Sequence, residues 1–139
     1  MKIEFFHEFI PPTATAQGRR QNTKGGYQHA AGRNAKAIFQ AIFEKHVQER
    51  PLRVALVLKV VATWPHTKES AQRARKTGRI AVPKTTRPDG DNYLKLLKDA
   101  AMDAGLIVDD AHIYDEQIKR YYGELPGISV QLWEEDDEE

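Results

Sequence analysis

Apolar residues recur along the chain with two different periods, and the switches between them divide it into elements. In residues 2–9, Ile3, Phe5, Phe6 and Phe9 are interleaved with charged positions, a strand pattern that Pro11-Pro12 stops. Residues 11–32 are small, polar and basic, with Arg19, Arg20, Lys24 and Gly25-Gly26, and they predict a mobile loop. Asn34 can cap a helix reaching about Gln48, whose apolar side is built from Ala35, Ile38, Ala41 and Ile42 and widened by Phe39, Phe43 and Val47. Residues 52–63 are the most apolar run, with Val54, Leu56, Val57, Leu58, Val60 and Val61, and predict a strand buried on both faces at the middle of a sheet. Over residues 64–87 the pattern lapses, and a short helix from about Lys68 to Lys76 is broken by Gly78 and Pro83. From Asp91 the spacing of Leu94, Leu97, Ala100, Ala101 and Ala104 restores the helical period, which Gly105 closes. Residues 113–122 and 128–133 read as two strands pairing as a hairpin across a turn at 123–127. The whole predicts an α+β fold, a mixed sheet of about four strands packed with two main helices, in one domain spanning residues 1–133.

Charge changes this picture, because the formal net of +1 hides an asymmetry along the chain. Residues 1–87 carry 17 Lys and Arg against 5 Asp and Glu, whereas residues 88–139 carry 4 against 15. Six of those acids form the run 134–139, expected to be a disordered tail, so the body without it is basic at +7. Seven of the positive charges, Lys68, Arg73, Arg75, Lys76, Arg79, Lys84 and Arg87, crowd the connection 64–87, where Glu69 is the only acid. Such a density exceeds what solubility requires and suits a polyanion gripped through its phosphates. With no cysteine, disulfides and thiolate metal sites are excluded. No apolar run approaches a membrane span and the N-terminus lacks a secretory pattern, so a cytoplasmic protein without membrane contact is expected.

The candidate chemistry lies in residues 87–110, where Asp89, Asp91, Asp99, Asp109 and Asp110 stand with Lys95. Asp89 and Asp91 sit on a Pro/Gly turn at a helix entrance, where their oxygens can converge on a hard divalent ion, Mg²⁺ or Mn²⁺. Asp91, Lys95 and Asp99 follow one another at i, i+4 and i+8, a stripe that an ion-pair ladder of a few tenths of a kcal/mol per pair also explains. That explanation does not extend to Asp89. An EF-hand counted from Asp89 would place Tyr93, Leu94 and Ala100 at its fifth, sixth and twelfth positions, and fails. His112 is a weaker candidate ligand. Lys119 and Arg120 lie on opposite faces of their strand, so one of them can point toward the site.

The series Arg87-Pro88-Asp89-Gly90-Asp91-Asn92, Lys95, Asp99-Ala100, Gly105 and Asp109-Asp110 is followed by an apolar strand carrying Lys119-Arg120-Tyr121 and by a Pro-Gly turn. In this the chain resembles the RusA-type Holliday junction resolvases over residues 87–127, and the order of elements upstream fits as well. The resemblance implies a Mg²⁺-dependent endonuclease, commonly encoded by phages and prophages, that acts as a homodimer on four-way or branched DNA in recombination and repair. It implies Asp89, Asp91 and Asp110 as metal ligands, Lys95 as the essential basic residue, and Asp99 and Asp109 as supporting residues. Arg19, Arg20, Lys24, Arg73, Arg75, Lys76, Arg79, Lys84 and Arg87 are then candidates for the DNA backbone. Carboxylate-held ions supply a nucleophilic hydroxide, neutralise the phosphoryl oxygens and stabilise the leaving oxygen, and a lysine point charge adds to the last two. The alternative on the same body is a protein that binds branched DNA with little cleavage, or a flap or fork nuclease.

Overall fold

A computed structural model of the chain describes residues 2–13 and 30–135. Its elements run β1 (Lys2–Glu8), α1 (Ala30–Glu44), β2 (Leu56–Pro65), α2 (Lys68–Thr77), β3 (Val82–Pro83), α3 (Gly90–Ala104), a 3₁₀ turn (Asp110–His112), β4 (Ile113–Gly123) and β5 (Gly127–Glu134). The α+β class holds, with five strands in one mixed sheet and three α-helices among the described residues. The strand order is β1-β5-β2-β4-β3, with β2 parallel to β4 and every other neighbouring pair antiparallel.

The core explains this order. Leu56, Leu58, Val60, Ala62 and Trp64 of β2 lie on one face together with Ile128, Val130 and Leu132 of β5 and Ile3 of β1. Onto that face pack Phe39 and Phe43 of α1 and Tyr93, Leu97 and Ala101 of α3. Burying each large side chain is worth about 2–3 kcal/mol, against well under 1 for an exposed ion pair, so this layer decides the fold. On the other face of β2 Val57 is buried, but Lys59 is exposed and Val61 and Thr63 are only half-buried, so the expected burial on both sides holds for the start of the strand and is corrected to one side beyond it. There Trp133 of β5 receives the ammonium groups of Lys2 and Lys59 at 4.7 and 5.9 Å from its ring.

Three local expectations also change. β4 and β5 are not a hairpin: β2 stands between them, paired with both. The gap is two interstrand spacings, about 10 Å, which the three residues 124–126 can span. As the most apolar strand, β2 gains more from two neighbours than from a place at the edge. The first helix begins at Ala30, four residues before Asn34, which therefore lies inside it. At the other end, Glu134 is the last residue of β5 and the Glu135 amide donates to the Ala55 carbonyl at 2.9 Å, so ordered chain passes the expected boundary at residue 133. Residues 136–139 lie outside the described residues.

Candidate metal and nucleic-acid site

Asp89 caps α3: its backbone is extended (φ −65°, ψ 138°) and its carboxylate accepts from the Asp91 amide at 3.3 Å. Asp89 and Asp91 are both exposed, at the N-terminal end of α3. One turn in, Tyr93 locks the entrance. Its ring meets Phe39 and Trp64 edge-on at 5.6 Å each, and its phenol donates to the Pro12 carbonyl at 2.8 Å. Trp64 Nε1 donates to the Pro11 carbonyl at 2.8 Å, so the two prolines are held against the core. Burial pushes the Tyr93 phenol far above the usual tyrosine range.

Asp91, Lys95 and Asp99 follow along α3 as expected, yet the ion-pair ladder is not formed. Among the described residues, Lys36 pairs with Asp103 at 2.6 Å and Lys98 with Glu116 at 2.9 Å, and Lys95 has no acidic partner. The acids 109 and 110 stand at the far end of this helix. The Asp110 amide donates to the Met102 sulfur at 3.2 Å, and Met102 is eleven residues beyond Asp91, about 16 Å along the axis. Strand β4 gives the same answer: its beginning adjoins Asp110, while Arg120, seven residues on, reaches the loop before Asp89, about 23 Å away. The expectation that Asp89, Asp91 and Asp110 meet is therefore not met within one chain. Among the described residues no group of three or more His, Asp or Glu could hold a metal ion. The donor chemistry at Asp89 and Asp91 fits a hard divalent ion, but two carboxylates leave its coordination incomplete.

The Asp109 carboxylate accepts from the Ala111 amide at 3.0 Å. That bond first, then the Asp110 side chain and the charge of His112, hold it below the usual carboxylate range. Nδ1 of His112 is buried and finds no hydrogen-bond partner among the described residues.

The basic connection is more ordered than its composition suggests. Thr67 and Ser70 form a capping box at the start of α2, and Gly78 closes it in the left-handed conformation (φ 72°). Arg73, Arg75, Lys76, Arg79 and Arg87 are exposed. Lys84 departs from the expected phosphate-facing role: it is 7% exposed, and its ammonium donates to the Thr86 hydroxyl at 2.6 Å and the Tyr122 oxygen at 3.3 Å. The Thr86 hydroxyl first, then Lys84 and the charge of Arg73, hold the Tyr122 phenol below its ordinary range against the effect of burial. Arg19, Arg20 and Lys24 lie outside the described residues.

Of Lys119 and Arg120, it is Arg120 that faces the site. Its Nη1 donates to the carbonyls of Thr86 and Pro88 at 3.0 and 2.7 Å. Alternation put one of the two on this side, but which one depended on the register of β4 with β2, where Arg120 pairs with Ala62 of the core face. The grip of Tyr93 on Pro12 joins residues 81 apart in sequence, and no local pattern signals it.

A family model described as "Endodeoxyribonuclease RusA" matches residues 10–133. The chain is also 28% identical over 127 residues to the "Uncharacterized protein YqaN" of Bacillus subtilis (strain 168), covering 86% of this chain and 89% of that protein.

Proposed function

Because the chain belongs to the RusA endodeoxyribonuclease family, we propose that it is a Mg²⁺-dependent homodimeric endonuclease that resolves four-way DNA junctions in recombination and repair. The observation that carries the reading further is the placement of acids at both ends of α3, with Asp89 and Asp91 at its start and Asp110 beside Met102 near its end. Asp91 and Met102 lie on the same stripe of the helix, since eleven residues make three turns almost without remainder. Two copies packed antiparallel about a two-fold axis along this stripe bring Asp89 and Asp91 of one chain toward Asp110 of the partner subunit. The same packing sets Lys95 against Asp99 of the partner subunit. Each site is then completed by two chains.

Bound Mg²⁺ would activate water for attack on the phosphodiester and offset charge on its oxygens. The chain itself supplies the rest. Asp89, Asp91 and Asp110 are the ligands, Lys95 is the cation beside the reacting phosphate, and the exposed arginines of α2 hold the flanking backbone.

The test is complementation between inactive proteins. Asp91→Asn and Asp110→Asn each abolish cleavage alone. In an equimolar mixture about half the dimers are mixed, and each mixed dimer then has one site with both changes and one with neither. Nicking of a synthetic junction should return to about a quarter of the wild-type number of sites. No return, with both proteins still binding the junction, means that each site lies within one chain. A second reading is a branched-DNA binder with little cleavage, favoured by the same separation of the acids. It requires wild-type protein to bind the junction without nicking it in Mg²⁺.

A further inference from the structure

We infer that Arg120 is a positioning residue for the proposed metal site: from β4 it holds the loop 86–90 that presents Asp89 and Asp91. The inference rests on the metal-site reading above and concerns a residue to which that reading gives no role.

The geometry is specific. One nitrogen of the guanidinium, Nη1, spends both hydrogens on the loop, one on the Thr86 carbonyl at 3.0 Å and one on the Pro88 carbonyl at 2.7 Å. The second of these carbonyls belongs to Pro88, the residue immediately before Asp89. Gly90 completes the contact: a Cβ there would sit 3.6 Å from Arg120 Nε and 3.3 Å from Ile118 Cγ2. Residues 86, 88 and 90 thus meet β4, and Asp89 and Asp91 alternate with them. Hydrogen bonds from a charged donor are about twice as strong as neutral ones, and two from one planar group fix direction as well as distance. A lysine at this position would keep the charge and lose the fork.

A loop held in this way pays less to order two like-charged carboxylates around an ion, so its loosening appears as weaker ion binding. Arg120 retains three N–H groups outside these two bonds, so a direct phosphate contact is the competing role. The two roles differ in what they leave intact.

Mn²⁺ binding to the DNA-free protein, read by electron paramagnetic resonance, and junction binding in EDTA, read by gel shift, separate them. Arg120→Gln should weaken Mn²⁺ at least about tenfold while junction affinity in EDTA stays within about twofold. Arg120→Lys should fall between the two. Gly90→Ala, which leaves every charge in place but crowds Ile118 Cγ2 at 3.3 Å, beside the Arg120 guanidinium, should also weaken Mn²⁺. It keeps the test alive if Arg120→Gln does not fold. Unchanged Mn²⁺ affinity in Arg120→Gln, or loss of junction binding in EDTA with Mn²⁺ affinity kept, overturns the inference. If wild-type protein binds no Mn²⁺ in either the presence or the absence of DNA, the metal-site reading fails first and takes this one with it.

Discussion

At the scale of single residues, the side chains proposed for chemistry and those that hold them in place are distinct sets. Asp89, Asp91 and Lys95 are exposed and reach no acid or base partner among the described residues, whereas Tyr93, Trp64 and Arg120 spend their polar atoms on backbone carbonyls around them. Asp91→Asn should therefore cost little stability. Cleavage should fall at least about a hundredfold, with junction binding equal or tighter because one negative charge fewer faces the DNA. A gel assay of cleavage beside a thermal melt checks both. The tyrosines offer a second readout. On raising the pH, the 295 nm signal of Tyr122 should appear before that of an ordinary tyrosine and vanish in Tyr122→Phe, since the bonds from Thr86 and Lys84 favour its ionised form. Tyr93 behaves oppositely. Its folded-state pKa is raised, so its contribution is present below the unfolded value of about 10 and is lost above it, and its ionisation should coincide with alkaline unfolding.

At the scale of elements, helix α3 was the most legible part of the chain, because the Pro/Gly turn before Asp91, the spacing from Leu94 to Ala104 and Gly105 as terminator are all local signals, whereas the capping role of Asp89, for which the sequence offered no helical reason, emerged only in the structure. The consequence of the helix for the site was equally local and easily missed. A helix of 15 residues is about 22 Å long, so acids before it and after it cannot meet unless the chain folds back. What sequence pattern could not give was the insertion of β2 between β4 and β5. Alternation and a short turn favour a hairpin, and only the competition for neighbours within one core reverses that preference. The capped helix α2 carries its own prediction. Changing Arg73, Arg75, Lys76 and Arg79 together to Ala should weaken binding to every DNA form and reduce the slope of log K against log salt by about 3 to 4. An unchanged slope would assign these charges to solvent.

At the scale of the molecule, resolution of a junction needs two opposed cuts, and each chain carries the Asp89-Asp91 element once. Wild-type chains mixed with an excess of Asp91→Asn chains should yield junctions nicked on one strand at the expense of paired cuts, with binding preserved. A sedimentation measurement that finds resolving monomers would favour the flap or fork nuclease instead.

One further property follows from the two-residue length of β3. Among the described residues it pairs with β4 at Tyr121 and Tyr122, and the Lys84 amide adds a bond to the Arg120 carbonyl at 2.9 Å, so the outer rim of β4 from Ile113 to Lys119 has no strand beside it. A bare rim of that length is a template for runaway assembly of chains into fibrils. Asp115, Glu116 and Lys119 punctuate it with charge, and Pro83 ends the strand that would otherwise extend along it. The charges that guard this rim thus stand on the same strand that carries Arg120 beside the proposed site. Replacing those charges with apolar side chains would remove the guard against edge-to-edge pairing.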